Sequence, residues 1–163
     1  MAKKLFLIRH TNYDFLTGKI NNQGIQRIKQ ELTPKIINYT NQKVIHWITS
    51  PKRRAIDTAL TLADNMQIKD LTLNTTNTLL IESEQNYQEL YQILQQKNPE
   101  NIIAISHKEI VEGLPHYLHK KHGWEKQNKT KRHYCQGHYI DFEMKKCLKY
   151  PEMQDNKEIL QNI

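Results

Sequence analysis

Cysteine is scarce. Cys135 and Cys147 are the two in 163 residues, too few for a disulfide framework, and a reducing compartment, the cytoplasm, is the expected location. Long apolar runs are missing as well. The longest, Leu5–Ile8 and Ile102–Ile105, are four residues each, far short of the ~18 that cross a bilayer as a helix, so no membrane partner is expected. Met1-Ala2-Lys3-Lys4-Leu5 opens like a secretory n-region, but Arg9 and His10 interrupt the apolar stretch before an h-region of about 7–15 residues forms. With only five glycines and five prolines, and neither an internal repeat nor a Gly/Ser-rich linker, nothing marks a second domain. A chain of this size buries roughly 70% of the surface its unfolded form exposes, so one core suffices without a structural metal. Residues 1–150 are expected to form a single domain, with 151–163 a fraying tail.

Charge is not balanced. Twenty-four Lys and Arg against seventeen Asp and Glu give +7, a field that favours anionic partners such as phosphorylated molecules, nucleic acid or acidic membrane. Much of the excess lies between His119 and His133, where Lys120, Lys121, Lys126, Lys129, Lys131 and Arg132 face only Glu125. The simplest reading of that stretch is a solvated loop. Nucleic-acid binding is disfavoured there because the aromatic platform is limited to Trp124 and Tyr134. His116, His119 and His122 recur at i+3 and i+6, but i+6 falls well off an integral number of helical turns and no Cys or carboxylate pattern completes a site, so no metal is expected.

Buried-strand patterns alternate with helical ones. Leu5-Phe6-Leu7-Ile8, Val44-Ile45-His46-Trp47-Ile48 and Ile102-Ile103-Ala104-Ile105 are short apolar runs of the kind that form strands covered on both faces. Leu71-Thr72-Leu73 predicts a weaker strand. Asn21 or Asn22 suits a helix N-cap before Ile25, Ile28 and Leu32, and Pro34 is expected to end or kink that helix. Pro51 suits the first turn of a helix that carries Ala55, Ile56, Ala59, Leu60 and Ala63 inward. Ser83 can cap a helix over about 84–97, and a further helix carries Ile110, Val111, Leu114 and Leu118. Residues 139–142 and 147–150 predict an antiparallel edge hairpin. Together these imply a three-layer α/β/α sandwich with a mostly parallel central sheet and that hairpin at one edge.

In such sheets ligands bind beyond the carboxyl ends of the strands. The three strong strands end in Arg9-His10, in Ser50 four residues before Arg54, and in Ser106-His107. Two arginines and two histidines converging at one edge would offer planar donors to a tetrahedral dianion such as a phosphoryl group, without a metal. A neutral imidazole among them is a competent nucleophile toward phosphorus.

These residues resemble the histidine phosphatase superfamily, also called phosphoglycerate mutase-like. Leu7-Ile8-Arg9-His10-Thr11 is similar to its first signature, and Ile20-Asn21-Asn22-Gln23-Gly24 to its downstream Leu-Thr-x-x-Gly element. Ser50-Pro51-Lys52-Arg53-Arg54-Ala55-Ile56-Asp57-Thr58-Ala59 matches Ser-Pro-x-x-Arg-Ala-x-x-Thr-Ala, and Ile105-Ser106-His107 matches the third signature. The short phosphohistidine phosphatase branch, typified by SixA, is the most similar. The resemblance implies His10 as the phosphoryl-accepting nucleophile, Arg9, Arg54 and His107 as binders of the phosphoryl oxygens, and no cofactor. Thr11 stands where the family usually has Gly and could add a hydroxyl to the phosphate site. In many relatives a carboxylic acid protonates the leaving oxygen; Glu82 is the first candidate here, followed by Glu84 and Asp14. The implied activity is a metal-independent phosphatase working through a phosphohistidine, on phosphohistidine proteins or other phosphorylated substrates. Alternatives are a small-molecule phosphomonoesterase, a mutase that would draw a second anion site from Lys120–Arg132, and a noncatalytic phosphoprotein-binding module. The oligomeric state is open.

Overall fold

In the computed structural model the described residues are 4–40, 45–96, 100–126 and 131–150. Val44, Lys129 and the predicted tail 151–163 lie outside them.

Six strands form one sheet in the order β3-β2-β4-β1-β5-β6, made of β1 Lys4–Arg9, β2 Ile45–Thr49, β3 Leu73–Thr75, β4 Asn101–Ser106, β5 Gly137–Asp141 and β6 Lys146–Tyr150. The first four positions are parallel, while β5 pairs antiparallel with both β1 and β6. The sequence predicts this hairpin. The weak third strand forms two residues later than Leu71, pairing Leu73–Thr75 with Trp47–Thr49.

Side-chain alternation along each strand builds two cores, one per face. Leu5, Leu7, Ile102, Ala104 and Ile140 face the helices α4 Glu84–Gln96 and α5 Lys108–His122. Phe6, Ile8, Trp47, Ile103 and Ile105 face Ile28 and Leu32, which follow α1 Asn22–Arg27, and the helices α2 Thr33–Thr40 and α3 Arg53–Asn65. The result is the expected three-layer sandwich, and β4, covered on both faces, is buried along its whole length.

Two helices depart from expectation. Pro34 does not end the first helical stretch: Ile28–Leu32 forms a π-helical turn between α1 and α2, where the Thr33 N–H reaches Ile28 O and the Thr33 hydroxyl donates to the same carbonyl at 2.9 Å. Pro34 then occupies the first turn of α2, where its missing N–H costs least. In α3, Leu62 is buried in place of Leu60, which is 46% exposed.

Strand order, more than any single element, assembles the functional edge. β2, β4 and β1 are adjacent, and Thr49 lies level with Ile105, Arg9 with Ser106. The residues just beyond those ends are therefore level too: Ser50 N donates to Ile105 O at 3.0 Å and His10 N to Ser106 O at 2.9 Å. Three segments remote in sequence emerge side by side, about 5 Å apart. No helix among the described residues is long and apolar enough to cross a membrane.

Candidate active site

His10 follows the last residue of β1 and is buried. Its Nδ1–H donates to the Thr11 carbonyl at 2.9 Å, which leaves the lone pair on Nε2, and Arg54 Nε donates to that lone pair at 3.0 Å. Arg54 sits in the first turn of α3, and its Nη2 lies 3.4 Å from His107 Nδ1. On the far side of the His107 ring, Nε2 is 2.7 Å from Ser50 Oγ, which also accepts the Lys52 amide at 3.3 Å. The two imidazoles meet edge to face with centroids 5.1 Å apart. Arg9 Nη1 donates to the Arg132 carbonyl at 2.8 Å, and the Arg132 N–H donates to Glu112 Oε1 on α5 at 2.7 Å. His10, Arg54 and His107 thus touch one another, and Arg9 lies near enough for its charge to act on both histidines.

The protonation states follow from burial. Desolvation, opposed by the Thr11 carbonyl and reinforced by the charges of His107, Arg54 and Arg9, lowers the His10 pKa to about 3. Desolvation and the Arg54 charge likewise lower His107 to about 4. Both imidazoles are neutral at pH 7. Neutral rings beside arginines form a cationic niche that holds a nucleophilic nitrogen, a combination suited to a phosphoryl group.

Two tyrosines complete the walls. The Arg9 guanidinium lies 4.4 Å over the Tyr134 ring and that of Arg54 4.7 Å over Tyr13, while His10 packs against both rings at 5.6 and 5.3 Å. Each arginine is held flat between an aromatic face and its hydrogen-bond partners, which limits the rotamer freedom lost on binding an anion. Tyr13 carried no sequence signal beyond standing three residues after His10, and Tyr134 belonged to a basic stretch whose simplest reading was solvated loop.

Thr11 does not face the site. Its hydroxyl donates to Gly24 O at 3.2 Å, and its N–H donates to Thr58 Oγ1 at 3.1 Å; Thr58 in turn donates to Arg54 O at 2.7 Å. The threonine of the second signature therefore ties α3 to the turn that follows β1. Gly24 is required there, because a Cβ would collide with Asn12 O and come within 2.8 Å of Thr11 Cγ2.

The candidate carboxylates have partners of their own. Glu82 accepts from Tyr87 OH at 3.1 Å and lines a cavity of about 200 Å³ with Glu84, Tyr87, Gly113, His116 and Lys120. Glu84 pairs with Lys121 at 2.6 Å. Asp14 accepts the amides of Leu16 and Thr17 at 2.9 and 2.8 Å. The carboxylate whose charge acts on His107 is that of Glu109, in the first turn of α5. The basic stretch is divided: Trp124 and Arg132 are buried, and Lys120 and Lys121 reach the cavity beside Glu82. His119 Nδ1 lies 2.7 Å from Trp124 O and His122 stacks on Tyr91 at 4.0 Å. No group of three His, Cys, Asp or Glu placed to hold a metal occurs among the described residues.

No protein-family model and no curated protein sequence matches the chain. Solved structures do. The protein histidine phosphatase SixA, complexed with tungstate, superposes with a TM-score of 0.69 at 15% identity, covering 90% of this chain and 93% of that one. The chain has the histidine phosphatase fold. The ecdysone phosphate phosphatase from Bombix mori, also with tungstate, gives 0.68 at 12% identity over 90% and 92% of the two chains. A mycobacterial glucosyl-3-phosphoglycerate phosphatase gives 0.63 at 12% over 86% and 93%. In all three the likeness spans 86–90% of this chain and 92–93% of the other.

Proposed function

We propose that the protein is a metal-independent phosphatase that transfers the phosphoryl group of its substrate to His10 Nε2 and then to water. The carrying observation is the state of His10: a neutral ring, its Nδ1 proton held by Thr11 O and its Nε2 lone pair turned to Arg54. In the first step Nε2 bonds to phosphorus while the bond to the leaving atom breaks, its electron pair departing with the leaving group. In the second, water attacks phosphorus, the P–N bond breaks, and inorganic phosphate leaves. The Thr11 carbonyl stabilises the positive charge that the ring acquires when phosphorylated. Arg9 and Arg54 are the donors for the equatorial oxygens, where charge develops, and His107, protonated beside the bound dianion, adds a third.

Phosphohistidine is the favoured substrate group. A phosphoramidate leaves as an imidazole that needs little protonation, whereas an alkoxide gains about 10²–10⁴-fold from a general acid. Glu82, Glu84 and Asp14 each already hold another partner, and the likeness to SixA points the same way. The free, buried Cys135 and Cys147 fit a reducing, cytoplasmic setting.

The test is to trap the phosphoenzyme after a brief incubation with phosphoramidate and to locate the label. An acid-labile, base-stable adduct on His10 is expected. Wild-type turnover by His10→Ala would sink the mechanism.

A further inference from the structure

Beyond the phosphate pocket, the loop between β1 and α1 carries an apolar tip. Phe15 is 87% and Leu16 95% exposed, and the next most exposed large apolar side chain among the described residues is Ile81 at 61%. The tip is not a loose end. Tyr13 bridges Ile20, Asp14 N donates to Lys19 O at 2.7 Å, and Gly18, at φ +69, donates to Asp14 O at 2.8 Å. With the Asp14 carboxylate accepting two further amides, the backbone is satisfied without Phe15 or Leu16, and both project into water. That exposure is unfavourable for the isolated protein.

The tip is also referenced to the nucleophile. The Phe15 ring stacks on Tyr13 at 6.0 Å and 24°, and Tyr13 packs edge-on to His10 at 5.3 Å. Phe15 and His10 are therefore no more than about 11 Å apart, the sum of the two separations. Around the mouth Arg9, Arg54 and Lys52 supply positive charge.

We infer that Phe15 and Leu16 read the substrate beyond its phosphoryl group, and that this substrate is a polypeptide with an apolar side chain two or three residues from the phosphorylated one, in acidic surroundings. The assignment rests on the phosphatase reading above. The spacing follows from the 11 Å limit and about 3.3–3.6 Å per extended residue. A polypeptide is indicated because metabolites bind in concave sites, whereas Phe15 and Leu16 stand out from the surface, where an extended segment can lie along them. Two residues are also too little apolar area to hold a protein on a bilayer. The acidic setting follows from the cationic mouth and the +7 net charge.

The experiment compares wild type with a Phe15→Ser, Leu16→Ser double variant on three substrates. One is phosphoramidate, which has nothing beyond the phosphoryl group. The others are two phosphohistidine peptides with acidic flanks, identical except for Leu or Gly at the positions two and three residues from the phosphohistidine. Wild type should favour the Leu peptide at least tenfold in kcat/KM, mainly through KM, given what burying apolar side chains contributes. The variant should erase that preference and stay within twofold of wild type on phosphoramidate. Equal rates on both peptides in wild type overturn the inference. So does a parallel loss on phosphoramidate, which would make the tip structural. A wild-type dimer that the variant dissociates assigns the tip to a second copy, and variant-sensitive binding to phosphatidylserine vesicles assigns it to a membrane; either result overturns it. Failure of wild type on all three substrates counts against the phosphatase reading alone. The tip is then read by the affinity of the same peptides carrying a non-hydrolysable phosphotriazole: Leu selectivity lost in the variant sustains it, and no selectivity overturns it.

Discussion

Arg54 Nε donates to His10 Nε2 at 3.0 Å, so in the free protein the guanidinium engages the one ring nitrogen of His10 that carries a lone pair. In the proposed reaction an incoming dianion competes for those N–H groups and releases that nitrogen as its oxygens take them over, which makes binding and unmasking of the proposed nucleophile one event.

Arg54→Ala should then lower kcat/KM by roughly 10²–10³, the loss seen when one preorganised donor to a developing oxyanion is removed. Arg54→Lys should recover little of it. A single ammonium cannot reach both His10 Nε2 and His107 Nδ1, which the fork of Arg54 contacts at 3.0 and 3.4 Å. Steady-state kinetics on phosphoramidate decide this, and recovery by lysine to within threefold of wild type would show that charge alone matters.

The depressed histidines predict a pH signature. His10 and His138 are lowered to about 3 and His107 to about 4, in each case chiefly by burial. Their imidazole proton resonances should not titrate between pH 8 and 5, where an exposed histidine would. The unfolded chain binds these protons near pH 6.5. Stability is therefore fully present above that pH and falls as pH drops from 6.5, down to about 4 for His107 and about 3 for His10 and His138, by at most about 1.4 kcal/mol per pH unit for each histidine. Urea unfolding at pH 7, 6 and 5 measures the slope, and a flat stability over that range contradicts the burial of these rings.

Ser50 is positioned to orient His107. Its hydroxyl, 2.7 Å from Nε2 and fully buried, is the contact that fixes which way the ring faces. Ser50→Ala should cost about tenfold in kcat/KM. It should also change the nitrogen chemical shifts of His107 while leaving those of His10 in place, a separation that a general loss of structure would not produce.

How much of this was legible in the sequence differs by element. The ends of β1, β2 and β4 could be read because an apolar run stopped by Arg, His or Ser is both a buried strand and a break at its edge. The meeting of those ends depends on β4 inserting between β1 and β2, a fact of topology that no local pattern encodes; the motif resemblance stood in for it. Tyr13 and Tyr134 were illegible because an aromatic in a polar loop has no period, and only the folded chain reveals the arginine beneath each ring. Glu82 was singled out by its place after Leu79-Leu80-Ile81. Its side chain turns toward Tyr87 because Gly113 on α5 leaves room there for that hydroxyl and carboxylate.

Gly24 offers the sharpest test of how the nucleophile turn is built. A Cβ there meets the Asn12 carbonyl and Thr11 Cγ2, and the first of these is backbone, which cannot swing aside like the end of a long side chain. Gly24→Ala must therefore push the 11–12 segment away from α1, at a cost of about 1–3 kcal/mol for overpacking, or roughly 2–12 °C in Tm at about 2–4 °C per kcal/mol. The same movement displaces the Thr11 carbonyl that holds His10 Nδ1 and the Thr11 N–H that bonds Thr58, so kcat/KM should fall at least tenfold with the protein still folded. Gly123→Ala is the matched control. That glycine caps α5 at φ +67 with nothing within 4 Å, so alanine strains the backbone and lowers Tm there too, but far from His10, and kcat/KM should stay within twofold of wild type. Equal losses of activity in the two variants would mean that turnover follows global stability rather than the geometry of the nucleophile turn.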